Sequence, residues 1–212
     1  MAIQLIGGAS GALQEVDATF KAARFTDRPP EAINWNSIGT TSGLLTGVAA
    51  AGIVYSFRNT GANLFMVRRV AVGFVTTTAF STAQGLQYQM VKANAFTISD
   101  TGGTPFYVAG ANKHRNGMTN ITSAPDIRMS GAAALTAGTR TLEASPIGLL
   151  NGTSNGVGTS MPVQNLFQHD VGDYPLIIAQ NEGFEILNGL TMGASGVLSL
   201  QILVEYAEVT AF

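Results

Sequence analysis

The run at residues 64–76, LFMVRRVAVGFVT, limits the possible folds more than any other stretch of the chain. Its apolar residues do not alternate with polar ones. Leu64, Met66, Val70, Val72 and Phe74 hold even positions, while Phe65, Val67, Ala71 and Val75 hold odd ones. A strand that is apolar on both sides is covered on both sides. One cover is expected to be the facing sheet of the domain's own core. The other must be a terminal arm, a loop or a neighbouring subunit.

The clearest alternation lies at residues 197–208. Leu198, Leu200, Ile202, Val204 and Tyr206 point one way and Ser199, Gln201 and Glu205 the other, with Leu203 an exception. This is the inward and outward rhythm of a sandwich strand, and it is expected to belong to the sheet facing residues 53–104. Residues 53–58 and 86–98 also read as strands, and shorter ones are expected at 105–108, 118–121, 125–129, 139–142, 176–179 and 184–187. The segment 151–160, NGTSNGVGTS, reads as a surface loop. Residues 48–51 and 132–137 allow a short helical turn at most. No amphipathic helical stretch of useful length appears, and there is no βαβ rhythm. The expected class is all-β, a jelly-roll-like antiparallel β-sandwich with an extended N-terminal arm. The arm is expected at 1–31 and a single sandwich domain at 32–212. In the arm, Val16, Ala18 and Phe20 alternate with Asp17, Thr19 and Lys21 as in an edge strand, and Pro29 and Pro30 enforce extended backbone.

Composition matters for what such a sandwich does. Charged residues make up 11% of the 212 residues, against about 25% in an ordinary soluble protein. Arg outnumbers Lys eight to three, the bias of protein interfaces. Both point to a surface that faces other protein chains, in a homo-oligomer or assembly. A net charge of −2 gives no general electrostatic case for nucleic acid or an anionic membrane as partner. The chain has no cysteine, which excludes disulfides, a thiolate nucleophile and thiolate zinc sites. The start lacks the basic segment of a secretory signal.

Chemistry-bearing motifs are sparse, so an enzyme is not expected. Gly152-Thr153-Ser154-Asn155-Gly156 matches the letters of a nucleophile elbow, but no helix is expected after it to complete an oxyanion site. His169, Asp170 and Asp173 share one segment, which also reads as a polar turn; His114 stands apart, and neither a metal nor a cofactor is expected. Glu205 and Glu208 point to opposite faces of a strand and cannot pair as acid and base. Asp100 and Asp126 read as turn aspartates that bond their own backbone. Arg68 and Arg69 are adjacent, so a regular strand sends them to opposite faces and one of them toward the core side. There it needs a carboxylate or carbonyl partner, in this chain or in a neighbouring subunit.

Several strings taken together resemble structural proteins of tailed-bacteriophage particles, of the head decoration or cement type. They are Ala23-Arg24-Phe25 leading to Arg28-Pro29-Pro30; Ser56-Phe57-Arg58-Asn59; and Val67-Arg68-Arg69-Val70 followed by Gly73-Phe74-Val75-Thr76-Thr77-Thr78-Ala79-Phe80. Further on come Ser99-Asp100-Thr101-Gly102-Gly103, Asp126-Ile127-Arg128, Leu135-Thr136-Ala137-Gly138-Thr139-Arg140 and Ala179-Gln180-Asn181-Glu182-Gly183. None is a mechanistic motif. The resemblance implies a β-sandwich building block of a phage head, made in the host cytoplasm and located in the virion, that stabilises the shell through lattice contacts. Its partners would be other copies of itself and a major capsid protein. Arg24, Arg28, Pro29, Pro30, Arg68 and Arg69 are the expected interface residues. The alternative is a fibre, spike or adhesin domain that binds a host receptor, for which Trp35 is the one aromatic candidate.

Overall fold

The structure, a computed structural model, describes residues 6–7, 12–13, 35–106, 113, 121, 125–169 and 175–209. The chain divides into two compact units, Met1–Ala32 and Ile33–Phe212. In the first, β1 (Ile6–Gly7) pairs antiparallel with β2 (Ala12–Leu13). The strand expected at 16–20 and the interface residues Arg24, Arg28, Pro29 and Pro30 lie outside the described residues.

The second unit contains only strands and their connections among its described residues. In chain order the strands are β3 (Trp35–Thr41), β4 (Ile53–Arg58), β5 (Leu64–Thr78), β6 (Gln84–Ile98), β7 (Thr104–Pro105), β8 (Asp126–Met129) and β9 (Thr139–Leu142). Then follow β10 (Gly148–Ser154), β11 (Ser160–Gln168), β12 (Leu176–Ile178), β13 (Gly183–Asn188) and β14 (Val197–Val209). They form two antiparallel sheets. A five-stranded sheet runs β11-β5-β14-β3, with β12 also on β5. A seven-stranded sheet runs β10-β6-β13-β4-β8-β7, with β9 also on β6. The result is an antiparallel β-sandwich. Without the short β7, β8, β9 and β12, eight strands remain, and they pair from the outside inward: β3 with β14, β4 with β13, β5 with β11 and β6 with β10.

The core lies between the sheets and is tied across them by aromatics. Phe57 of β4 stacks on Phe184 of β13 with ring centroids 5.3 Å apart, and meets Tyr206 of β14 edge-on at 5.4 Å. Phe65 of β5 closes the group against Tyr206 at 5.7 Å. Such tilted and stacked pairs add to the area each ring buries.

Three expectations are corrected by this arrangement. The strand at 197–208 does not belong to the sheet facing β5; β14 is its lateral neighbour, paired along the whole length from Leu64 to Thr78. The facing layer is β4, β6 and β13. The segment 151–160 is not one loop, because its first part lies in β10 and only 155–159 turns. The glycines on β10 reflect close approach, whereas Gly158 takes the positive φ of the turn. A Cβ at Gly152 would lie 2.7 Å from the Phe74 ring, and one at Gly148 would collide with the carbonyl of Leu166.

The third correction concerns Arg68 and Arg69. On β5 the inward residues are Phe65 and Val67, then Val70, Val72 and Phe74. Val67 and Val70 are three apart, so the strand changes phase between them. The register with β14 places Arg69 opposite Glu205 and Val67 opposite Tyr206, leaving Arg68 as the extra residue of a β-bulge. Both arginines therefore lie on the outer side. Neither enters the core.

Candidate assembly surface

The two outer faces differ in what covers them. On the seven-stranded sheet, Ile53, Val91 and Leu187 form a second apolar cluster, and Leu135 with Leu142 close over it. The covering segment is the chain between β8 and the end of β9. It is fastened through Leu135 N–H to the Ile53 carbonyl at 2.8 Å and by paired bonds between Thr101 and Thr136 at 2.9 Å. No helix forms at 132–137.

Beside this cluster sits a buried polar group that the sequence does not announce. Glu185 of β13 and Asp100 are 0% and 1% exposed. Arg140 of β9 reaches both: it donates through Nε and Nη2 to the two Glu185 oxygens, and its Nε stands 3.6 Å from Asp100 Oδ1. Asp100 also accepts from Ser56 Oγ at 2.6 Å and from Gly138 N–H at 2.7 Å. It is thus a buried acceptor shared by three segments, not the self-bonded turn aspartate expected. Burial, then the Asp100 carboxylate, hold the Glu185 carboxyl above its usual range, while Arg140 pulls it down. One cation between two carboxylates clamps the covering segment onto the sheet. Glu185 escapes sequence reading because a charge between Phe184 and Ile186 looks like an ordinary outward residue of a solvated strand.

The outer face of the five-stranded sheet carries the arginine bulge. Arg69 donates through Nε to Asn165 Oδ1 at 2.6 Å and through Nη1 to Glu205 Oε1 at 3.4 Å. Its ion pair is therefore internal, between adjacent strands. Arg68 is exposed, and its guanidinium lies 5.7 Å from the centroid of the Trp35 ring, a cation–π contact. Below it, Met66 and Ala207 pack with Trp35 and Ile177. Next to Arg69 an open groove of about 420 Å³ is lined by Gly39, Thr41, Val163, Gln201 and Leu203. The β11 bulge leans over this face; a Cβ at Gly73 would lie 3.0 Å from Val163 N.

The remaining expected sites come apart in space. Ser154 is fully buried at the end of β10, and its Oγ lies 2.7 Å from Thr76 Oγ1 of the other sheet. The hydroxyl ties the two layers together and a turn follows it, not a helix. Glu205 faces Arg69, whereas Glu208 accepts from Asn63 at 2.7 Å, so the two do not meet. Asp126 pairs with Arg128 at 3.0 Å. His169 is described, but His114, Asp170 and Asp173 lie outside the described residues. Among the described residues no three His, Asp or Glu side chains converge as a metal site would require.

Scans of family models, curated proteins and solved structures found no match to this chain.

Proposed function

We propose that this chain is a structural subunit of a tailed-phage head, a jelly-roll decoration or cement protein that binds copies of itself and a major capsid protein. The observation that carries the reading is the nested pairing of the eight long strands: first with eighth, second with seventh, third with sixth and fourth with fifth. A hairpin rolled up in this way is the plan of the double-sheet jelly roll, an architecture used by viral capsid proteins and lectins. Fold alone does not fix function, and three further features favour the capsid side. The chain is poor in charge, its described charges are largely spent on internal partners, and the outer face of the five-stranded sheet presents an open groove beside Arg69.

The receptor-binding alternative draws on the same architecture. It is less favoured because every aromatic among the described residues is buried or half-buried, so none offers a free ring to a sugar. Electron microscopy of particles assembled with the chain tests the choice. Density distributed over the whole head is expected; density confined to the tail tip or to sparse spikes contradicts the cement role and favours the alternative.

A further inference from the structure

Among the described residues, one end of the sandwich carries no charge. The stretches 35–57, 70–91, 129–139, 144–168 and 186–204 contain no Asp, Glu, Lys or Arg. Strand direction brings the middle of each to the same end. The connections there are 42–52, 79–83, 155–159 and 189–196, with 130–134 joining them before the chain turns down over the outer face. The nearest charges sit further down: Arg69 opposite Glu205 in one sheet, and Arg128 and Glu185 both opposite Ser56 in the other, with Asp100 and Arg140 beside them on its outer face. The chain enters the sandwich at Trp35 and reaches Val209 at the opposite end, where these residues pair with Ala207 and Leu64.

These loops are stitched into a fixed surface. Met192 N–H donates to the Val48 carbonyl at 2.8 Å, and Thr46 Oγ1 to the Ala194 carbonyl at 3.0 Å. Asn188 Nδ2 donates to the carbonyls of Val48 and Leu190 at 2.9 and 2.6 Å. Gly193 N–H donates to Gln84 Oε1 at 2.9 Å, and Gly158 N–H to the Thr76 carbonyl at 2.9 Å. From this frame Leu44, Leu190 and Val157 project at 59%, 45% and 70% exposure. Exposed apolar side chains on a pre-organised, uncharged base have little to reorganise on binding.

The missing charge selects the partner. Nucleic acid and anionic membranes are held by Lys and Arg, and this end has neither. Nor does it expose an aromatic ring for a sugar. Around a rotation axis each residue meets itself or its near neighbours, so a charged patch repels its own copy, whereas an uncharged one does not. We infer that the charge-free loop end is a homotypic contact, where copies of this chain meet about a symmetry axis through Leu44, Val157 and Leu190. The inference rests on the reading of the chain as an assembling protein and adds to the open face of the five-stranded sheet a second surface, through which copies meet.

Sedimentation velocity over a concentration series tests it, with the full chain compared to Leu190→Glu and Val157→Glu. The parent is expected to sediment as an oligomer. Each variant is expected to weaken association at least about tenfold, as a like-charge contact at an axis demands, with an unchanged melting temperature for the isolated subunit. Because the chain has no cysteine, Leu190→Cys adds an independent readout: oxidation should link it into covalent dimers. A parent that stays monomeric overturns the inference, as does one that binds neutral vesicles without self-associating; the lattice reading is then left to the micrographs. An oligomer indifferent to both substitutions, and not cross-linked through Leu190→Cys, overturns the loop-end contact and leaves assembly through another face standing.

Discussion

On the outer side of the seven-stranded sheet, Ile53, Val91 and Leu187 lie beneath Leu135 and Leu142, with Arg140 clamped onto Glu185 and Asp100 beside them. On the outer side of the five-stranded sheet, Gly39, Val163 and Leu203 line an open groove, and Arg68 stands exposed over Trp35. The first face is finished within the chain, by a segment brought back across it and fixed by charge as well as apolar contact. The second is finished only as far as small side chains and one internal ion pair can do so. The two layers are thus finished differently. One is closed by the chain itself, and in the proposed assembly the other is where contacts remain to be made.

This difference can be broken from either side. Arg140→Ala should do most, since it leaves two buried carboxylates facing each other without a cation; a loss of about 4 kcal/mol is expected from chemical denaturation. A loss under about 1 kcal/mol would mean the clamp is no more than a surface pair. Leu135→Ala removes the apolar lid over Ile53 and should cost about 3 kcal/mol by the same measurement. A value near zero would show that the covering segment is not seated on the sheet.

A gentler probe uses pH. The Glu185 carboxyl is held above its ordinary value of 4.5 by burial and by Asp100. The folded chain therefore binds this proton more tightly than the unfolded one. Its contribution to stability is complete below the ordinary value and is lost as the pH rises through the raised one. Glu185→Gln cannot titrate, so the melting temperature of the parent relative to this variant should climb as the pH falls toward 4.5. Parallel curves would place the carboxylate in solvent rather than in the clamp.

The smallest effect belongs to the other face. Arg69→Ala breaks a half-exposed pair with Glu205 and should shift the stability of the isolated subunit by less than about 1 kcal/mol. A loss comparable to that of Arg140→Ala would erase the contrast between the faces.

How far the sequence discloses this arrangement depends on how regular each strand is. The strand at 197–208 is legible because its alternation runs almost unbroken, and Leu203 proves to be an outward residue of the open face rather than a fault in the pattern. The strand Trp35–Thr41 is not legible, since buried Asn36 and Thr40 alternate with Ser37 and Gly39, and only pairing with β14 fixes its register. Strand Ser160–Gln168 is hidden by Pro162 and by two register shifts against β5. The arginine pair misleads for the same reason: a bulge moves the phase by one residue, and periodicity counted straight through it sends Arg69 to the wrong side. The clamp is the least visible feature. Its three members are Asp100, Arg140 and Glu185, scattered along the chain, and only the return of the 130–142 segment over the sheet unites them.

Hydrogen exchange with mass spectrometric readout, on the dispersed subunit and on its assembled form, measures the contrast most directly. Peptides covering 131–142 should be protected in the dispersed subunit and gain nothing on assembly. Peptides covering the edge strands 35–41 and 160–168 should exchange faster when dispersed and gain protection on assembly. Protection gained at 131–142, with 35–41 and 160–168 unchanged, would contradict the assignment of the closed and the open face.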